Sequence, residues 1–198
     1  MITQPVCMKC GKPVRKMEQE FCTDCTTVNH HFDRGRAVWL HKPPVNHSIY
    51  CFKYKNQRQF AKYYAAEMFH IYNQIICAWN PDCIVPIPLH SRRKRKRGYN
   101  QSQLIAVELS KLSGIPVNIS GLKRIRYTDP QKRFDNKMRK RNLREAFCVT
   151  DKLRGVKSVL LIDDIYTTGN TMDETARKLK ETGVEKVYFL TVSIGQGY

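Results

Sequence analysis

Between Val159 and Thr171 the chain reads VLLIDDIYTTGNT, an apolar run ending in two adjacent carboxylates, followed by a Thr- and Gly-rich turn that opens a helical pattern. A short apolar run of this kind reads as a strand buried on both faces, and strand, turn and helix in succession are the repeating unit of a parallel α/β sheet. The backbone N–H groups of such a turn, backed by the helix dipole, form a cradle for phosphate, and Gly169 lets the chain approach the anion closely. Carboxylates beside a phosphate repel it unless the ligand also carries hydroxyls or a divalent metal for Asp163 and Asp164 to hold. A ribose 5-phosphate has that combination. The plainer reading is an acidic strand end and a Thr-capped helix.

The remaining patterns extend the same architecture. Phe60, Tyr64, Met68, Ile71, Tyr72, Ile75 and Trp79 recur at three- and four-residue steps and predict a long helix. Cys83 to Leu89 (CIVPIPL) reads as a buried strand, 101–113 as a second helix, and 171–182 as a third with Gly183 as its C-terminal cap. Lys186 to Val192 reads as a closing strand, Ser48 to Tyr54 as a further strand, and His90 to Gly98 as a basic loop. These alternations predict a mainly parallel sheet with flanking helices, occupying residues 48–198 and preceded by a small unit at 1–40.

That first unit is dense in Cys, Lys and Pro and short of apolar periodicity, the composition of a fold held by metal more than by a core. Its pattern is Cys7-x-x-Cys10, eleven intervening residues, then Cys22-x-x-Cys25. Two such knuckles bring four thiolates to the corners of a tetrahedron, which suits a structural Zn²⁺ and describes a zinc ribbon. His30 and His31 read as solvated, and Cys51, Cys77, Cys83 and Cys148 as buried free thiols.

Charge narrows the partners. With 35 Lys and Arg against 17 Asp and Glu, the 198-residue chain carries a formal +18. Sixteen of those cations fall in two segments, the unbroken run Arg92, Arg93, Lys94, Arg95, Lys96, Arg97 and the stretch from Lys123 to Arg144. A hydrophobic share of 41% supports a real core, so the charge indicates a polyanionic partner and not disorder. The first run can serve a nucleic acid or a pyrophosphate, with Tyr99 stacking on a base; it can rest on anionic lipid; or it can be a solvated loop. The longest uninterrupted apolar run, Ile75 to Trp79, is five residues against the roughly 20 that span a bilayer. The opening residues lack the pattern of a signal peptide, which predicts a cytoplasmic location and reduced cysteines.

The stretch from Val159 to Thr171 resembles the fingerprint of the type I phosphoribosyltransferases, which bind 5-phosphoribosyl-1-pyrophosphate (PRPP). Together with the paired N-terminal CxxC, YKNQRQFAKYYA (Tyr54 to Ala65), VPIPLHSRRKRKRGYNQSQLIA (Val85 to Ala106) and RYTDPQKRFDNKMRKRNLREAF (Arg126 to Phe147), it resembles the ComF family of competence proteins across most of the chain. The resemblance implies that Asp163 and Asp164 hold the ribose hydroxyls of PRPP with its Mg²⁺. It implies that Thr167, Thr168, Gly169, Asn170 and Thr171 wrap the 5-phosphate. The turn after Pro88 and the basic segment 131–141, with Arg139 and Arg141, would face the pyrophosphate. Tyr166 departs from the aliphatic residue of many relatives.

The function implied is that of a DNA-uptake accessory in natural transformation. Such a protein binds single-stranded DNA and PRPP in the cytoplasm, at the inner face of the membrane beside the uptake machinery or a competence helicase. The alternative is an active phosphoribosyltransferase whose acceptor the sequence does not name. No catalytic residue is assigned.

Overall fold

A computed structural model describes residues 2–126 and 145–196. Arg139, Arg141 and the rest of the basic segment at 131–141 lie outside the described residues. Four parallel strands form the central sheet: β1 (Arg34–Leu40), β2 (Cys83–Pro86), β5 (Ser158–Tyr166) and β6 (Lys186–Ile194), in the order β1-β6-β5-β2. A short antiparallel pair, β3 (Leu122–Arg124) and β4 (Phe147–Val149), stands apart.

Both faces of the sheet are covered, which explains the continuous apolar runs of β2 and β5. Leu160 and Ile162 of β5 pack with Met68, Ile105 and Leu109 from α3 (Phe60–Trp79) and α5 (Gln101–Ser113). Val159 and Leu161 turn the other way, toward Met172, Ala176 and Leu179 of the helix Asn170–Glu181, here α6. The same cluster takes in Cys7, Cys10, Val14 and Cys22, so the cysteine-rich segment shares a core with the sheet. Residues 34–40, grouped on composition with the metal-binding unit, form the edge strand β1, paired in parallel with β6 from Arg34↔Tyr188 to Leu40↔Ile194.

Two local readings are corrected. Ser48 to Tyr54, read as a strand from its aromatic and β-branched residues, lies in the helix α2 (Val45–Tyr54). Ile49 and Phe52, three apart, bury one face, while Tyr50 and Tyr54, four apart, share the exposed one, so packing at helical spacing overrides the local propensity. The basic loop is also a helix, α4 (Ser91–Arg97). Arg and Lys are good helix formers, His90 accepts a hydrogen bond from the Arg92 N–H at its start, and Gly98 ends it at φ +80°. Among the described residues no helix is long and apolar enough to cross a membrane. A short helix in the cysteine-rich segment, α1 (Thr23–Thr27), completes the set.

Candidate functional site

The outgoing ends of the parallel strands carry the candidate site, where an open α/β sheet gathers its ligand groups. Both carboxylates lie within β5, which runs on to Tyr166 instead of ending at the acidic pair. The strand continues because β6 still pairs with it there, Ile165 opposite Ser193 and Tyr166 opposite Ile194. Asp163 Oδ1 accepts hydrogen bonds from Ser102 Oγ of α5 at 2.8 Å and from the Asp164 N–H at 2.9 Å. Asp164 is buried and pairs at 2.9 Å with Lys53 Nζ, delivered from the last turn of α2. Burial, and then the charge of Asp164, push the Asp163 carboxyl up to about 7, against the pull of the Ser102 hydrogen bond and of Lys53.

Beyond Tyr166 the chain turns through Thr167 and Thr168 to Gly169, which caps α6 in the left-handed region at φ +78°. Asn170 and Thr171 begin the helix itself. A Cβ at Gly169 would lie 2.4 Å from the Tyr166 hydroxyl, so the loop is seated directly on that ring. The Tyr166 ring stacks on Phe189 at 4.8 Å between centroids. Among the described residues, its hydroxyl and Asn170 Nδ2 are buried without a hydrogen-bond partner.

Across from the loop, Asn100 Nδ2 donates to Ile87 O at 3.0 Å and so fixes the turn after β2. Arg124 of β3 is held down to about 10 by burial and by the charge of Arg93 on α4, with Asp163 opposing. His90 is lowered by partial desolvation, then by Arg124 and the first cations of α4. Arg124 thus feels the charges of both Arg93 and Asp163, and His90 that of Arg124. Tyr99 does not join them as a stacking ring: it is buried and its hydroxyl donates to Phe52 O, because a ring placed between α2 and the start of α5 completes the core.

The four cysteines converge as their spacing predicts. Cys7, Cys10, Cys22 and Cys25 place their sulfurs within 4.8 Å of one another, Cys10 and Cys22 at 3.6 Å. Four sulfurs about 2.3 Å from one zinc stand about 3.8 Å apart, so this set fits such an ion and could hold a metal of that kind. Hydrogen bonds among the sulfurs, first with Cys10, hold the Cys7 thiol down, while those with Cys22 first push Cys10 up.

Other residues fall where the residue pattern did not indicate. His30 is buried and stacked on Phe32, and His31 donates its backbone N–H to Asp173 Oδ1 at 2.7 Å, so neither histidine is simply solvated. Of the four remaining cysteines only Cys83 is buried; Cys51 is partly exposed, and Cys77 and Cys148 are exposed because they fall on outward helix and strand positions. Lys53 and Ser102 had no motif to mark them, since their roles come from helices that meet β5 only in the folded chain.

The phosphoribosyl transferase domain family matches residues 53–193, which include Lys53, the carboxylate pair and the loop after Tyr166. Over the longer span Competence protein F of Haemophilus influenzae is 31% identical across 191 residues, 92% of this chain and 82% of that protein. The chain belongs to the ComF family of phosphoribosyl transferase domain proteins. Other ComF relatives are the DNA utilization protein YhgH of Salmonella typhimurium, 30% identical over 92% of this chain and 81% of that one, and Competence protein ComFC of Bacillus subtilis, 28% identical over 92% and 74%. Among solved structures, the purine phosphoribosyltransferase of Pyrococcus horikoshii is similar over 67% of this ComF chain and 74% of its own, with a TM-score of 0.42 and 16% identity.

Proposed function

We propose that this ComF-family protein is a DNA-uptake accessory of natural transformation that binds single-stranded DNA and, at the β5 site, Mg²⁺ and PRPP. One observation carries the reading: α4, with six consecutive cations and no acid, follows β2, and the carboxylate pair and glycine-seated loop lie at the end of its parallel neighbour β5. The names of the relatives, competence and DNA utilization, support the cellular role.

On this reading Asp163 and Asp164 accept the ribose hydroxyls, and Thr167 to Thr171 donate backbone and side-chain groups to the 5-phosphate at the start of α6. Arg93 and Arg124 offer positive charge on the pyrophosphate side. Bound Mg²⁺ would neutralise pyrophosphate oxygens, with Asp163 and Asp164 as its nearest protein carboxylates. Lys53, paired with Asp164 at 2.9 Å, holds that side chain in place until ligand arrives. The four cysteines bind Zn²⁺ and anchor the N-terminal segment. The protein works in the cytoplasm, at the inner face of the membrane, where uptake machinery or a competence helicase delivers the strand.

Calorimetry with PRPP and Mg²⁺, and fluorescence anisotropy with a labelled oligothymidylate, test the two ligands separately. The parent should bind both, and Asp163→Ala/Asp164→Ala should lose PRPP alone. No heat with PRPP, or no anisotropy change with the oligonucleotide, removes that ligand from the proposal. The domain match over 53–193 also favours a second reading, transfer of the phosphoribosyl group to an acceptor. Mg²⁺-dependent pyrophosphate release in an acceptor screen would select it.

A further inference from the structure

Tyr99 is buried, yet the same face of the molecule offers aromatic rings to solvent. Tyr50 and Tyr54 sit one turn apart on α2, 50% and 52% exposed, with ring centroids 5.1 Å apart. Tyr54 stands beside α4: the Arg97 guanidinium lies over its ring at 5.0 Å and donates to its hydroxyl at 3.1 Å. A second bond, from Arg97 to Gln101 Oε1 at 3.1 Å, holds the guanidinium in place. Arg58 lies 4.7 Å over the buried Tyr99 ring and close to Gly98, at the other side of the α4 terminus. Between these points the surface carries Lys94, Arg95 and Lys96, all exposed, and α4 contains no acid.

Two exposed tyrosines cost apolar exposure that a solvated face does not require, and cations alone do not need rings between them. Fixed cations beside exposed ring faces are the combination that engages a strand whose bases are unpaired, since phosphates meet the charge and bases meet the rings. Duplex DNA hides its base faces, and an acidic peptide has none. We infer that Tyr50 and Tyr54, flanked by Arg97, Arg58 and the exposed cations of α4, form the base-stacking platform for single-stranded nucleic acid. The inference rests on the DNA-binding reading above and replaces Tyr99 with a different pair of rings. It also locates the platform on the helix whose next inward residue, Lys53, holds Asp164.

The test uses the full chain and a labelled 20-nucleotide oligothymidylate, followed by anisotropy across a salt series. Tyr50→Ala/Tyr54→Ala should weaken binding about tenfold or more while leaving the salt slope unchanged, because stacking releases no counterions. Tyr50→Phe/Tyr54→Phe should bind as the parent does, since the rings remain. Unlabelled duplex and poly-glutamate should compete poorly. With 5-iodouracil in the oligonucleotide, the photo-crosslink should fall on Tyr50 or Tyr54. Far-UV circular dichroism and the melting temperature verify that the alanine variant is folded, and the crosslink on the parent decides the matter if it is not.

If the parent binds and the alanine variant binds equally, the platform is wrong and the DNA-binding reading stands. Equal competition by poly-glutamate or duplex also overturns the platform, and assigns the surface to an acidic protein or to backbone charge alone. If the parent fails to bind the oligonucleotide at any salt, the underlying reading falls, and the platform with it.

Discussion

Lys53 reaches from α2 to within 2.9 Å of Asp164 on β5, and this ion pair links a surface helix to the carboxylates of the candidate site. Both side chains are largely sheltered, so neither has water to replace the other. Removing one partner of such a pair leaves an uncompensated charge. Lys53→Ala should therefore cost about 2–4 kcal/mol at neutral pH. Asp164→Asn in the same background should recover much of that loss. Urea denaturation of the two single variants and the double variant measures the coupling, and simple additivity would mean that the pair contributes nothing.

Asp163 makes stability depend on pH in an unusual direction for a carboxylate. Its folded value near 7 lies above the roughly 4 of an unfolded chain, so the folded state binds a proton more tightly. Stability should fall as pH rises from about 4 to 7 and hold its lower level above that. Asp163→Asn keeps an oxygen for Ser102 and for the Asp164 N–H. It should be more stable than the parent at pH 8 by about 1–3 kcal/mol, allowing for solvent at a half-buried carboxyl, and the gap should close toward pH 4. Melting temperatures across that range provide the comparison.

Gly169 tests how the loop is seated. An alanine there meets the Tyr166 hydroxyl at 2.4 Å and its Cζ at 2.9 Å, at a φ that disfavours side chains. Gly169→Ala should cost about 1–3 kcal/mol and displace the loop. Tyr166→Phe alone should be neutral or slightly stabilising, because it deletes a buried hydroxyl that has no partner among the described residues. Combined, the two changes should recover only part of the loss, since the ring carbon and the positive φ remain. Thermal melts of the three variants distinguish this from a loop free to move aside.

Metal removal should unfold the N-terminal segment locally. Cys10→Ser and Cys22→Ser each replace a buried ligand, and apparent zinc-binding energies in small sites of this type are about 10–16 kcal/mol. Both variants should lose stoichiometric metal by elemental analysis and become sensitive to protease before residue 34. Retention of one ion per chain in both would exclude the four-sulfur site.

Where the residues carried a local signal, the architecture was legible. The periodicity from Phe60 to Trp79 gave α3 at its observed bounds, and VLLIDD gave β5 and the site it bears. The cysteine spacing gave the sulfur cluster because knuckle geometry is set by neighbours in the chain. What escaped were features decided by distant packing. RGRAVWL has few alternating polar positions, and it becomes β1 only because β6 supplies a partner. Tyr99, beside six cations, has the context of a base-stacking ring, yet the space between α2 and α5 takes it into the core. Lys53 and Ser102 reach Asp164 and Asp163 by tertiary contact alone.

The pairing of β1 with β6 also imposes an order on synthesis. Arg34 finds Tyr188 opposite it, a separation of 188 − 34 = 154 residues. At about 5–20 residues per second, the ribosome takes roughly 8–30 s to make that interval. Throughout it Ala37 and Val38, fully buried in the finished sheet, have no strand to cover them. The cysteine knuckles, complete by Cys25, can close on metal during the same wait and give the nascent chain a folded head well before its sheet can form. On the zinc reading proposed above, a cell short of that ion would leave the emerging polypeptide without its folded head, open to proteases and holdase chaperones before the mature protein showed any defect.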